Sequence, residues 1–169
     1  MKIPCRKQNR LPEYDYAQMG SYFVTLCTFH RVHIFRMELP QEDGSGHADR
    51  GLSNRILHKW IREIQHKYPN VTVERYVIMP DHVHLIVTIK EGKCGTSLPA
   101  VMRYFKTMTT NEYIRNVKEG YLPPFEGKIW QKSYYDHVIR NQQDYQSVWE
   151  YIVSNPAKWM MIHENSGEE

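Results

Sequence analysis

Residues 76–89 are YVIMPDHVHLIVTI, two apolar runs separated by a short Pro-Asp turn. This pattern predicts two consecutive antiparallel strands. Side chains two residues apart on a strand point to the same face of the sheet, so His82 and His84 would project side by side while Val83 faces a core on the other side. The residues alone leave two interpretations open: the histidines bind one metal ion, or they form a hydrogen-bonded pair in a half-buried strand.

The sequence on both sides of these strands predicts the remaining elements. In chain order we expect a strand at 20–29, a helix at 53–68 capped by Ser53, strands at 71–79 and 82–90, a helix at 97–117 opened by Ser97, an edge strand running from 129–131 toward 135–137, and a helix that begins at Gln142. Apart from the last helix, this order is typical of a ferredoxin-like fold. We therefore predict an α+β fold, a ferredoxin-like βαββαβ antiparallel sheet with an additional C-terminal helix.

The C-terminal helix has an apolar stripe, with Tyr151 and Asn155 four residues apart on its flank. A ferredoxin-like sheet packs its own two helices on one face, so this helix can cover the other face, where the two histidines would point. That arrangement would bring a tyrosine hydroxyl and an amide oxygen to two imidazoles. Two plainer interpretations stay open: Tyr151 could serve only in packing, and Asn155 could cap a short final helix that begins at Pro156.

Length and composition indicate one domain that spans residues 1–169. The 169 residues are 41% hydrophobic, which suffices for one core but is short for two. We expect residues 37–51, with three glycines and four acids, to form a flexible loop, and residues 164–169 to form a disordered tail. No apolar run approaches the roughly 18 residues of a membrane span, and the N-terminus lacks the apolar core of a signal peptide. We therefore expect a cytoplasmic protein without a membrane partner.

Basic residues are distributed unevenly around a formal net charge of +3. Residues 100–142 carry seven Lys or Arg against four acids, together with aromatic side chains that could stack on bases. Arg103, Lys106 and Lys132 in this region are candidate DNA-binding residues. The plainer interpretation is an ordinary solvated basic surface.

Three segments of the chain are PDHVHLIV at 80–87, WQKSYYDHVIR at 130–140 and EYIVSNP at 150–156. In this order and spacing they resemble the single-tyrosine HUH transposases, and among these the REP-associated tyrosine transposases. HUH denotes two histidines that flank a bulky hydrophobic residue, which is Val83 here. The resemblance covers nearly the whole chain, from Tyr22 to Trp159, and the three segments together are far more specific than any one of them.

The resemblance also implies a set of site residues and ligands. The matching positions are the metal ligands His82, His84 and Asn155, the nucleophile Tyr151, and the supporting residues His137 and Arg140. The implied cofactor is Mg²⁺ or Mn²⁺. The implied partner is single-stranded or hairpin-forming DNA, bound by a monomer or by a homodimer.

These roles imply a metal-dependent single-stranded DNA endonuclease and strand transferase. Attack by the tyrosine on phosphorus would leave a 5′-phosphotyrosine ester, and attack by another 3′-hydroxyl would reverse it without ATP. A tyrosine phenol titrates at about 10 in water, so the reaction calls for a Lewis acid. The alternative function is a catalytically silent nucleic-acid-binding ferredoxin-like domain. A histidine-triad hydrolase is disfavoured because Ile86 stands where a third alternating histidine is needed.

Overall fold

The computed structural model describes Asp15 and residues 18–38, 51–91 and 96–164. Its elements in chain order are β1 (Gly20–Cys27), a single 3-10 turn (Phe29–Arg31), α1 (Leu52–Lys67), β2 (Val71–Met79), β3 (His82–Ile89), α2 (Leu98–Lys118), β4 (Tyr135–Ile139) and α3 (Gln142–Glu164). Most of the loop predicted at 37–51, and residues 165–169 of the predicted tail, lie outside the described residues. The first position of that tail, Glu164, is the last residue of α3.

The four strands form one antiparallel sheet in the order β2-β3-β1-β4. With α1 between β1 and β2 and α2 between β3 and β4, this is the predicted ferredoxin-like arrangement. β3 lies in the interior of the sheet, hydrogen-bonded to β2 on one side and to β1 on the other. The two histidines are therefore held on a strand that is paired along both edges.

Each face of the sheet has its own hydrophobic core. The larger core joins α1 and α2 to side chains such as Tyr22 and Leu85, which are fully buried. The smaller core joins Val148 and Ile152 of α3 to Ile86 and to neighbouring residues of β2. His82, His84 and Ile86 are each two residues apart on β3, so their side chains point to the same face. The histidines therefore lie on the face that α3 covers. The prediction that the C-terminal helix covers the histidine face of the sheet is confirmed.

Two predicted element boundaries are wrong. Ser53 does not cap α1, because the helix begins one residue earlier and the carbonyl of Gly51 accepts its first backbone hydrogen bonds. The edge strand lies at Tyr135–Ile139, and Trp130 forms only an isolated bridge to Thr28. The buried Trp130 ring donates a hydrogen bond to Thr109 of α2 at 2.9 Å, and the backbone of residues 129–131 pairs with the backbone of Cys27 and Phe29, at and just beyond the end of β1.

Ser97 caps α2 as predicted, with its hydroxyl accepting from the amide of Ala100 at 3.4 Å.

Among the helices that the structure describes, none combines the length and the apolar character needed to cross a membrane.

Candidate active site

The imidazoles of His82 and His84 face each other on β3, with their Nε2 atoms 3.1 Å apart. The Nδ1 atom of each ring contacts a separate partner. Nδ1 of His82 lies 2.5 Å from a carboxylate oxygen of Asp81, and Nδ1 of His84 lies 2.8 Å from the hydroxyl of Thr25. In metal-binding histidines, a partner that accepts from Nδ1–H fixes the orientation of the ring and so leaves the Nε2 lone pair available to a metal ion.

The surroundings keep both imidazoles neutral. Burial lowers the pKa of His82, opposed in part by its hydrogen bond to Asp81. Burial also lowers the pKa of His84 to about 3, helped by the neighbouring His82 and by Arg31. A neutral imidazole can donate a lone pair to a metal ion, whereas an imidazolium cannot. The pair is therefore in the protonation state that metal binding requires at neutral pH.

Helix α3 brings Tyr151 and Asn155 to the histidines. The Tyr151 ring lies 5.3 Å from the His84 ring, edge to face, and the tyrosine remains 42% exposed. The ring of Phe23 on β1 packs against both, at 5.2 Å from His84 and 5.8 Å from Tyr151. Asn155 is buried and lines the same pocket as His82, and its side chain slightly opposes the lowering of the His82 pKa. The tyrosine and the amide thus meet the histidine pair within one chain.

The interpretation of Asn155 as the cap of a separate final helix is wrong. Helix α3 runs without a break from Gln142 to Glu164, with Pro156 inside it. The Asn155 side chain lines the same pocket as His82 and His84. Its amide is therefore part of the site that the histidines form.

A pocket of about 370 Å³ opens over these residues. Its lining residues are Thr25, Cys27, Arg31, His82, His84, Tyr135, Tyr151, Asn155, Lys158, Trp159 and Ile162. Two of them are cationic and none is acidic. Within the described part of the chain, no third His, Cys, Asp or Glu joins the histidines in a cluster that could hold a metal. The amide oxygen of Asn155 can complete a set with the two imidazole nitrogens, which favours a first-row divalent cation such as Mn²⁺ over Mg²⁺ and leaves positions open for substrate.

His137 and Arg140 are not part of the pocket lining. Nε2 of His137 contacts both carboxylate oxygens of Asp144, at 2.9 and 3.0 Å, and the backbone amide of Arg140 donates to the same carboxylate at 3.1 Å. The His137 hydrogen bond, and after it the Arg140 amide, hold the pKa of Asp144 below its usual value. These contacts join the end of β4 to the first turn of α3, so the two residues lie where they can position the helix that carries Tyr151.

The candidate DNA-binding lysines lie around a second cleft, of about 380 Å³, between α2 and residues 125–132. Lys106 and Lys132 both line it, together with Lys128. The ammonium of Lys106 donates to the backbone carbonyls of Gln131 and Lys132, at 2.5 and 3.0 Å, and so fastens this segment to α2. Arg103 is exposed on α2 but does not line the cleft.

Sequence reasoning missed Thr25, Arg31 and Lys158, which line the pocket, and Asp81, which contacts His82 from outside the lining. Helical spacing could have found Lys158, because it lies seven residues after Tyr151, and its ammonium is 5.6 Å from the centre of that ring. The alternation on β1 places Thr25 on the histidine face only once the register with His84 is known. Arg31 has no such signal, since it belongs to an irregular turn.

Comparison with known proteins gives a consistent result. Residues 16–155 match the family model described as "Transposase IS200 like". An uncharacterized protein of Haemophilus influenzae is 31% identical over 173 residues, which cover 91% of this chain and 89% of the relative. A REP-associated tyrosine transposase of Escherichia coli is 31% identical over 87 residues, covering 51% of this chain and 44% of the relative.

A solved structure of a REP-associated tyrosine transposase bound to a REP hairpin has the same fold. It aligns with 88% of this chain and 74% of its own length, with a TM-score of 0.60 and 23% sequence identity.

Proposed function

The chain belongs to the IS200-like transposase family, and from this premise we propose that it is a metal-dependent enzyme that nicks and joins single-stranded DNA through Tyr151. One observation carries the proposal: α3 brings Tyr151 and Asn155 to the facing Nε2 atoms of His82 and His84. Each residue type needed for the chemistry lines one pocket of the chain.

Tyr151 is the proposed nucleophile. Its phenolic oxygen gives up its proton and attacks phosphorus, the bond from phosphorus to the 3′ oxygen breaks, and the released strand leaves with a free 3′-hydroxyl after taking up a proton. The 5′ end remains on the enzyme as a phosphotyrosine ester. Attack on that ester by another 3′-hydroxyl restores the tyrosine and joins two strands, so no external energy source is needed.

His82, His84 and Asn155 are the proposed metal ligands, and Mg²⁺ or Mn²⁺ is the proposed ion. When bound, the ion would supply Lewis-acid activation and orientation of the phosphodiester. Asp81 and Thr25 hold the two imidazoles in place for this role, through the Nδ1 contacts described above. Phe23 packs against Tyr151 and His84 together and fixes their relative orientation.

Hairpin DNA with single-stranded flanks is the proposed substrate. The solved structure of the REP-associated tyrosine transposase contains a REP hairpin, and the cleft between α2 and residues 125–132 offers lysines for phosphate contacts. Lys128 and Lys132 are the proposed contacts there, and Arg103 extends the basic surface along α2. Because Tyr151 reaches His84 of its own chain, we propose that the site assembles within one chain rather than by exchange of α3 in a dimer.

The decisive test is a covalent adduct with DNA. The protein is incubated with Mn²⁺ and a hairpin oligonucleotide whose stem copies inverted repeats that flank its coding sequence. We expect a denaturation-resistant species in which a tryptic peptide containing Tyr151 carries the 5′-phosphate of the DNA, as read by mass spectrometry. Tyr151→Phe should abolish this species and leave hairpin binding nearly unchanged.

The matched control is Tyr145→Phe, on the same helix, where the hydroxyl instead donates to Glu74 at 2.8 Å. This variant should form the adduct at the wild-type level. An adduct on Tyr134, Tyr135 or Tyr145, or one that persists in Tyr151→Phe, would remove Tyr151 from its proposed role. A silent DNA-binding domain would form no adduct in any variant.

A further inference from the structure

Arg31 lies at the edge of the histidine pocket and shares a carboxylate with it. Its side chain is 53% exposed, and one guanidinium nitrogen lies 3.2 Å from Oδ2 of Asp81. Oδ1 of the same carboxylate accepts from His82. The Asp81 side chain therefore fixes the guanidinium and the imidazole relative to each other, while Arg31 also lines the pocket.

The backbone at this position is strained. His30 and Arg31 have φ angles of 54° and 58°, so two consecutive residues other than glycine adopt the left-handed conformation. This conformation costs free energy for residues with a Cβ atom and persists only where the surroundings hold it. Strain of this kind is common at ligand-binding sites.

Thr28 holds the strained turn in place. It is fully buried, and its backbone amide donates to the carbonyl of Asp81 at 2.9 Å. Its hydroxyl lies 2.8 Å from the carbonyl of Val32 and 3.0 Å from that of Asp81. The turn is thus fastened to the same two-residue corner that precedes His82, and the position of Arg31 is coupled to the position of the histidines.

The pocket has the charge of an anion site. Its two charged lining residues are Arg31 and Lys158, and no acid is among the lining residues that the structure describes. A guanidinium presents a planar set of N–H donors that matches two oxygens of one phosphate, whereas an ammonium is a single compact charge. The contact to Asp81 engages one edge of that set, so other donors remain for a ligand.

We infer that Arg31 binds the non-bridging oxygens of the phosphodiester that Tyr151 attacks. This inference rests on the proposed function and names the substrate group that Arg31 contacts. The guanidinium aligns the phosphodiester before attack, and it stabilises negative charge on the phosphoryl oxygens as the tyrosine oxygen approaches. The Asp81 contact and the strained turn keep it oriented before DNA arrives, so little side-chain entropy is lost on binding.

The first test observes the contact without metal and without cleavage. Protein with ¹⁵N-labelled arginine is titrated in EDTA with the dinucleotide TpT, and the side-chain Nε–H signals are followed by NMR. The Arg31 signal, assigned by its loss in Arg31→Lys, should shift with TpT but not with the uncharged methylphosphonate analogue. The signal of Arg62, which is exposed on α1, should not move with either. The inference would be overturned if the Arg31 signal did not shift with TpT, or if it shifted equally with TpT and with the methylphosphonate analogue.

The second test separates phosphate binding from a bracing role through Asp81. Arg31→Ala should slow adduct formation by about 100-fold or more, as expected for the loss of a donor to the reacting group, while Mn²⁺ affinity stays within about 3-fold of wild type. Arg31→Lys should recover part of the rate, and Arg62→Ala should match wild type. Melting temperatures in EDTA check that each variant is folded.

The outcomes separate the two proposals. If the rate of adduct formation falls only in proportion to Mn²⁺ affinity, then Arg31 acts by holding Asp81 in position. That result would overturn the inference. If no variant forms an adduct but TpT still shifts the Arg31 signal, then the nuclease proposal fails and the phosphodiester site remains.

Discussion

Oδ1 of Asp81 lies 2.5 Å from Nδ1 of His82, and this contact links the turn before β3 to the face of the sheet that α3 covers. Asp81 itself is buried, so its carboxylate is a fixed partner rather than a mobile surface charge. The contact fixes which nitrogen of His82 is turned toward His84 and Asn155. A single carboxylate outside the pocket lining therefore orients His82 toward His84, whose own Nδ1 contacts Thr25.

We predict that Asp81→Asn weakens Mn²⁺ binding by about 10- to 100-fold, the usual effect of removing a partner that orients a metal-binding histidine. Isothermal titration calorimetry measures the affinity. The double variant His82→Ala, His84→Ala supplies the reference for complete loss. Asp144→Asn is the matched control, because its carboxylate pairs with His137 outside the pocket. Unchanged affinity in Asp81→Asn would mean that the histidines need no carboxylate partner.

A second prediction concerns the stability of the metal-free protein in acid. The pKa of His84 is lowered to about 3, chiefly by burial, whereas a histidine in the unfolded chain titrates at about 6.5. Between these pH values the unfolded state binds a proton that the folded state excludes. The free energy of unfolding should therefore fall as pH drops below 6.5, by up to about 1.4 kcal/mol per pH unit from this group.

Urea unfolding in EDTA at several pH values between 7.5 and 4.5 measures this effect. His84→Gln lacks the titrating group, so its stability should depend less steeply on pH than that of the wild type. Parallel pH profiles for the two proteins would show that His84 is not held neutral by folding.

The sequence predicted the centre of the sheet well because the relevant signals are local. Alternation along β3 places His82 and His84 on one face, and the four-residue spacing on α3 pairs Tyr151 with Asn155. Each of these predictions follows from the residue spacing within a single strand or helix. The edge strand was harder to locate. The sequence around Trp130 is typical of a strand. The Trp130 ring, however, is buried and donates a hydrogen bond to Thr109, 21 residues away along the chain.

The residues that were missed depend on contacts between distant segments. Thr25 meets His84 across 59 residues of sequence, and only the strand register reveals the pair. Arg31 lies in a left-handed turn that sequence patterns reserve for glycine or asparagine, so nothing local predicts its conformation. Lys106 was predicted as a DNA contact from charge alone, and the structure shows that its ammonium also binds two backbone carbonyls.

A third prediction tests the cleft between α2 and residues 125–132 as the DNA-docking surface. Replacing Lys128 and Lys132 with Gln should weaken hairpin binding by roughly 10-fold or more at low salt, because two phosphate contacts are lost. The slope of log affinity against log salt should become shallower by about 2. Fluorescence anisotropy at 50 to 300 mM salt measures both quantities.

Lys67→Gln, an exposed position near the end of α1, serves as the control and should change neither. Lys106 is left intact because its ammonium fastens the segment that carries Lys132. Wild-type slope and affinity in the double variant would place DNA docking on another surface.

The last prediction addresses Asn155, which lies one turn beyond Tyr151 and lines the same pocket as His82. If its amide oxygen is the third metal ligand, Asn155→Leu should lower Mn²⁺ affinity by about 10- to 100-fold, because leucine keeps the helix and the approximate volume but has no oxygen. Asn155→Asp should retain or increase the affinity, since a carboxylate oxygen can take the same position.

Calorimetry gives the affinities, and the melting temperature in EDTA gives the structural contribution separately. A residue that only supports His82 by hydrogen bonding would give a different result: Asn155→Leu would lower the melting temperature, while Mn²⁺ affinity would stay within about 3-fold of wild type. Hairpin binding in EDTA should be the same in all three proteins, because the docking lysines lie in the other cleft. A loss of affinity in Asn155→Leu that Asn155→Asp fails to restore would also exclude the ligand role, because an oxygen at that position would then be insufficient.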